Sequence, residues 1–266
     1  MERWVSKVSG IIAPMSLCAC SSALARAAGR QLPCRGCLAP LGEGAEAGLC
    51  RACWEGLVPL PALRCPRCAL PHGADRDCPE PVAWSLGDAL WDYHGGRPPL
   101  GALLVPAIKA GELAWMQALH RRMAEAPLPS WAAEADCATC VPTPLPRRLL
   151  RGFDLAEDTA RLLARRLDLP FARTLGRPWR TGRQMARTES ERRRLPRHTV
   201  HPLPGVSLEG RVVLLVDDVW TTGTTLLRCA QALQAAGARE LRVLTLFRAL
   251  QGRPAQSSIA SGGVPR

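Results

Sequence analysis

Lysine is nearly absent. Of 35 basic residues only Lys7 and Lys109 are lysines, and the rest are arginines. Against 23 acidic residues this leaves a formal charge of +12 and a pI near 9.7. Such a balance suits a phosphate-rich partner, nucleic acid or small molecule, although basic residues also simply coat soluble surfaces. A lysine kept in this arginine background, Lys109, therefore draws attention. Aromatic residues make up only 5%, leaving few platforms on which single-stranded nucleic acid could stack; Trp54, Trp84 and Trp91 are the candidates. No apolar run is long enough for a membrane span. The leader VSKVSGIIAPMSLCACSSALARA sets Lys7 before a short apolar stretch, but Pro14 and the small residues make it a poor secretion signal.

Cysteine is abundant. Most of the 12 cysteines fall in CxxC pairs, the spacing of zinc ligands and not of a scattered disulfide framework. This favours a reducing compartment and a cytoplasmic protein. Cys34/Cys37 and Cys50/Cys53 stand twelve residues apart and suit one closed four-thiolate zinc, structural because no coordination position stays open. Cys65 and Cys68 form a third pair, with Cys78 after it. A second ion there needs a fourth ligand from His72, Cys18 or Cys20, or the pairs interleave. Cys137 and Cys140 sit in a strand pattern and Cys229 on an amphipathic helix; these three read as core packing.

At 266 residues the chain can hold one sizeable α/β core plus a small appendage, and 47% hydrophobic residues fit a folded protein. Residues 1–33 read as a low-information leader. Residues 34–81 form a Cys-, Pro- and Gly-rich module with too little core to fold without metal. The main domain is expected over 84–249, and the tail 250–266 is polar and expected to be disordered. Within the main domain, PPLGALLVPAIKAGELAWMQALHRRMAEA reads as two helices around a Lys-Ala-Gly break, and DCATCVPTPL as a buried strand entering a proline-rich turn. DLAEDTARLLARRLDL reads as an amphipathic helix capped by Asp154, with Leu155, Leu162, Leu163 and Leu167 on its apolar face. RVVLLV, TTLLRCAQALQAAGA and ELRVLTLFRAL give strand, helix and strand. That order means an α/β fold with a doubly wound parallel sheet.

The chemistry concentrates in VVLLVDDVWTTGTTL, residues 212–226. Asp217 and Asp218 come at the carboxyl end of a strand, where open α/β sheets bind ligands. Adjacent strand residues point to opposite sides, so one carboxylate can take sugar hydroxyls while the other holds the loop or a hydrated magnesium. The TTGTT loop offers backbone N–H groups, hydroxyls and a glycine free to adopt positive φ, and it opens a helix whose N-terminus favours an anion. A 5′-phosphate fits there. The stretch is neither a Walker loop nor a GxGxxG fingerprint.

This stretch resembles the 5-phosphoribosyl-1-pyrophosphate (PRPP) signature of type I phosphoribosyltransferases. With CRGC…CRAC, CPRC, AIKAGEL, VPTPLPRRLLRGFDLAEDTARLLA and RTGRQ in order, the chain resembles the ComF (competence protein F, GntX-like) family over roughly residues 34–248. The resemblance implies a zinc module, with Cys34, Cys37, Cys50, Cys53, Cys65, Cys68 and Cys78 as ligands, before a phosphoribosyltransferase-type domain. It implies that Asp217 and Asp218 contact ribose hydroxyls and that Thr221, Thr222, Gly223, Thr224 and Thr225 wrap the 5′-phosphate of magnesium-bound PRPP. Lys109 would lie near the pyrophosphate, and Arg151 and Gln184 also match family positions. The implied role is natural competence, as a transferase releasing pyrophosphate or as a non-catalytic protein that binds nucleotide or single-stranded DNA beside the competence helicase machinery. In that second role Arg147, Arg148, Arg151 and the arginines at 192–194 would contact phosphates. The chain departs from the family at Asp154 and Leu195, where asparagines are usual, and at Pro81, where a cysteine is usual.

Overall fold

A computed structural model describes residues 32–72, 76–177 and 200–250. Most of the leader with Cys18 and Cys20, the segment holding Gln184, arginines 192–194 and Leu195, and the tail past residue 250 lie outside the described residues. Two compact units divide the chain, residues 1–54 and 55–266. The division falls inside the cysteine-rich segment, with the first two CxxC pairs on one side and the third pair on the other.

In the first unit, bridges Pro33↔Pro40 and Glu46↔Leu49 fold two tight turns, and helix α1 (Arg51–Glu55) begins there. Among its described residues only Cys34, Leu49, Cys53 and Trp54 are buried. So small an apolar content offsets little of the chain entropy of folding.

The second unit is built on a four-stranded parallel sheet in the order β1 (Leu86–Asp92), β6 (Glu240–Arg248), β5 (Val212–Trp220), β2 (Cys137–Cys140). Between β1 and β2 run α2 (Leu100–Lys109) and α3 (Leu113–Glu125), separated by a turn in which Gly111 has φ 115°. After β2 come α4 (Leu145–Arg151) and α5 (Leu155–Arg166). A small antiparallel pair, β3 (Leu175–Gly176) and β4 (His201–Pro202), precedes β5, and α6 (Thr224–Ala235) joins β5 to β6.

Side-chain parity along β5 sorts the layers. Val213 and Leu215 join a core cluster with Leu226, Cys229, Ala230 and Leu233 of α6. Leu214 and Val216 are fully buried on the other face, where α5 packs over β5 and β2. Helices therefore cover both faces of a parallel sheet, as the alternation of strand and helix predicts. Cys137, Cys140 and Cys229 are buried in this core. On α5 the buried face is completed by small residues, Ala156, Ala160 and Ala164, beside Leu155 and Leu163; Leu162 and Leu167 are only half-buried.

Candidate functional site

The aspartates are not past the end of the strand but within it. β5 continues through DDVW, with Asp217 opposite Thr245, Val219 opposite Phe247 and Trp220 opposite Arg248. Both carboxylates are consequently buried and aim to opposite faces, one toward α6 and the other toward α2. Lys109, the last residue of α2, sits where a cation complements the helix dipole, and its Nζ lies 2.6 Å from Asp218 Oδ2. The Asp218 N–H donates to Asp217 Oδ1 at 2.9 Å. Burial first, and then the neighbouring Asp218 charge, push the Asp217 carboxyl up to about 8, against the pull of the Asp218 N–H, Lys109 and Arg177.

Beyond Trp220 the chain turns through Thr221 and Thr222 into Gly223, which caps α6 with φ 71° and no side-chain capping bond. A side chain could not replace that glycine quietly, since a Cβ there would stand 3.0 Å from Trp220 Nε1. The free N–H groups of the first turn of α6 point out of the helix and make an anion cradle. Thr222 Oγ1 and Thr224 Oγ1 lie 3.0 Å apart, pairing the loop hydroxyls.

A cleft of about 470 Å³ opens at this carboxyl edge. Lys109, Asp217, Asp218, Thr221 and Thr225 line it, while Thr222, Gly223 and Thr224 form the loop behind and are not among the lining residues. Arg147 and Arg151 of α4 and Arg177 after β3 also line it, so two carboxylates face four cations across one cleft. Tyr93 and Arg177 are wall residues that no motif marks; the single tyrosine of the chain and an arginine among many give no periodic or spacing signal. Trp220 lies outside the cleft, packed edge-on against Trp84 with ring centroids 5.2 Å apart. Trp54, Trp84 and Trp91, the aromatic residues considered for nucleic-acid stacking, are all buried and offer no open ring face.

Both cysteine groups converge as metal sites require. In the first unit the ligand atoms of Cys34, Cys37, Cys50 and Cys53 lie within 4.8 Å of one another. The N–H groups of Gly36 and Cys50 donate to Cys34 Sγ at 3.3 and 3.2 Å. Burial raises the Cys34 thiol, but the backbone N–H groups of Cys37, Cys50 and Gly36, with the Cys53 thiol, outweigh it and bring its pKa down to about 6. In the second unit Cys65, Cys68, His72 and Cys78 converge equally closely, with Cys68 Sγ 2.9 Å from His72 Nε2. Among the described residues, His72 is the fourth member of this group. Four thiols in the first place, and three thiols with an imidazole in the second, fit tetrahedral zinc.

Residues 149–264 match the phosphoribosyl transferase domain. Among solved structures, the chain is similar to the glutamine PRPP amidotransferase of B. subtilis at 24% identity and TM-score 0.34, covering 49% of this chain and 25% of that one. It thus spans about a quarter of that enzyme's length. It is also similar to a purine phosphoribosyltransferase of Pyrococcus horikoshii at 20% identity and TM-score 0.30, covering 50% and 78% of the two chains. The DNA utilization protein YhgH of Salmonella typhi is 29% identical over 220 residues, 76% of this chain and 91% of that protein. YhgH of Escherichia coli O157:H7 is 30% identical over 232 residues, 80% of this chain and 96% of the relative. With a relative 30% identical that it matches over 96% of that relative's length, the chain belongs to the ComF (GntX-like) family, a cysteine-rich module joined to a phosphoribosyltransferase-type domain.

Proposed function

We propose that the cleft binds PRPP with magnesium and transfers its phosphoribosyl group with release of pyrophosphate. The observation that carries this reading is the division of charge within one cleft. Asp217 and Asp218 face it from β5, Thr221 and Thr225 bring the two ends of the threonine loop to it, and Lys109, Arg147, Arg151 and Arg177 supply positive charge. A sugar phosphate whose anomeric carbon bears pyrophosphate matches that sequence of charges: 5′-phosphate on residues 221–225, ribose hydroxyls on the carboxylates, pyrophosphate on the cations. Magnesium, when bound, neutralises the departing pyrophosphate. The arginines and Lys109 stabilise the same developing charge, and the loop holds the sugar in line while the C1–O bond breaks and an acceptor bonds to C1. Two zinc ions, one in each cysteine group, serve as structural metals, and the reduced thiols fit the cytoplasm.

A second reading, a non-catalytic partner of single-stranded DNA or of the competence helicase machinery, is favoured by α4. That helix buries none of its residues and sets Arg147, Arg148 and Arg151 beside exposed Leu149 and Leu150. The YhgH relatives are named for DNA utilization.

Calorimetric titration with magnesium and PRPP, wild type against Asp217→Ala/Asp218→Ala, tests the first reading. Binding is expected to vanish in the double variant, and unchanged binding would sink the proposal. Pyrophosphate release across a panel of nucleobases and amines then separates enzyme from binder. DNA binding that falls steeply with salt and survives the double substitution would favour the second reading.

A further inference from the structure

Arg248, the last residue of β6, is fully buried, an uncommon state for a guanidinium. All three of its nitrogens donate. Nε donates to the carbonyl of Cys68 at 3.1 Å, inside the second cysteine group. Nη1 donates to the carbonyls of Trp220, at 3.1 Å, and of Thr221, the two residues that open the phosphate loop, and to that of Ala249 at 3.2 Å. Nη2 meets Glu80 Oε2 at 2.8 Å, which keeps the buried charge paired. The guanidinium also lies over the Trp220 ring, 4.5 Å from its centroid. Trp84, which packs edge-on against Trp220, donates its indole N–H to the Arg67 carbonyl between Cys65 and Cys68 at 2.7 Å. Two independent ties thus join the second cysteine group to the start of the loop.

We infer that Arg248 is the positioning residue of the phosphate loop, fixing its first two carbonyls from behind and coupling them to the Cys65/Cys68/His72/Cys78 group. The inference rests on the phosphate-sugar reading of the cleft for its consequence, but the loop restraint stands apart from it. Orienting the Trp220 and Thr221 carbonyls inward turns the following N–H groups outward, toward the cleft, because the two ends of a peptide unit are fixed relative to each other. A lysine in place of Arg248 keeps the charge but lacks the fork that reaches both the loop and Cys68.

The test uses the full, zinc-loaded chain as wild type, Arg248→Lys, Glu80→Gln and Cys78→Ser, with two readouts. The first is the ¹⁵N order parameter of the Thr221, Thr222 and Gly223 amides. It is expected near 0.85 in wild type and to fall below about 0.6 in Arg248→Lys and Cys78→Ser, while values along Val213 to Val216 stay put. Glu80→Gln, which leaves the fork intact, is expected to give a smaller fall. The second is the affinity for magnesium-PRPP, expected to weaken roughly tenfold or more in Arg248→Lys, the size of a lost charge-assisted contact. A loop as rigid in Arg248→Lys as in wild type overturns the inference, and so does loosening of β5 equal to that of the loop, which marks mere destabilisation. Should Arg248→Lys fail to fold, a wild-type loop in Cys78→Ser and Glu80→Gln overturns it equally. If wild type binds no PRPP, the cleft reading fails while the order parameters still decide the role of Arg248.

Discussion

Asp217 ties the cleft to pH through its burial. Its carboxyl is raised from 3.8 to about 8, so the folded chain holds this proton more tightly than the unfolded chain does. The contribution to stability is fully present below the unfolded value, declines as pH rises from about 4 to about 8, and is level above that. Asp217→Asn is expected to remove this decline, measured as urea midpoints across the window. Ligand binding runs the other way. A carboxylate that accepts sugar hydroxyls or faces a cation must be ionised, so magnesium-PRPP affinity is expected to rise toward pH 8 with release of a proton. Titration in two buffers of different ionisation heat checks this; Asp217→Asn should release none. Lys109→Met removes one of the charges that hold the Asp217 pKa down and should move the profile to higher pH. The opposite aims of Asp217 and Asp218 follow from strand periodicity alone. The contact of Lys109 with Asp218 does not, because it depends on where the end of α2 comes to rest, across more than a hundred intervening residues.

Helix boundaries show what local chemistry dictates. Asp154 accepts the Glu157 N–H at 3.4 Å and the Thr143 hydroxyl at 3.0 Å, so it caps α5 and ties it to the turn after β2. An asparagine, usual in the family, caps as well as aspartate, and the departure at this position therefore keeps the local structure. Asp154→Ala is expected to cost about 1 kcal/mol in chemical denaturation and Asp154→Asn close to nothing. Gly223→Ala meets two penalties, a left-handed backbone and the close Trp220 indole. About 1–2 kcal/mol of stability should go, with loss of magnesium-PRPP affinity on titration, since the loop must shift to relieve the contact. Capping residue, apolar period and glycine stop made α5, α6 and the α2–α3 pair readable. The short helix α4 follows the proline-rich turn over residues 141–145 with no signal of its own, because none of its residues is buried and no apolar period exists to read. β5 is longer than its apolar run suggests, since pairing with β6 carries the polar DD into the sheet.

At the scale of the whole molecule, the three CxxC pairs of the cysteine-rich segment look alike in sequence yet belong to different physical settings. What separates them is the apolar surroundings, which spacing does not encode. Cys65 and Cys68 share a core cluster with Leu60, Leu70 and Trp84 and with the α6 face of the sheet. The first unit has only Leu49 and Trp54 buried beside its thiols among the described residues. Metal should accordingly matter unequally. Each closed group takes one ion, so about two zinc per chain are expected by metal analysis. Cys50→Ser should leave about one, and residues 34–54 should lose their ordered amide signals, because no core remains to hold them. The sheet unit keeps its own core in that variant, and its affinity for magnesium-PRPP should stay within about twofold of wild type, a change well under 1 kcal/mol. Cys65→Ser should also leave about one ion, but it should weaken magnesium-PRPP, since its group backs the phosphate loop through Arg248. Equal loss of affinity in both variants would mean that the two metals act on the cleft alike, contrary to the division of the chain at residues 54 and 55.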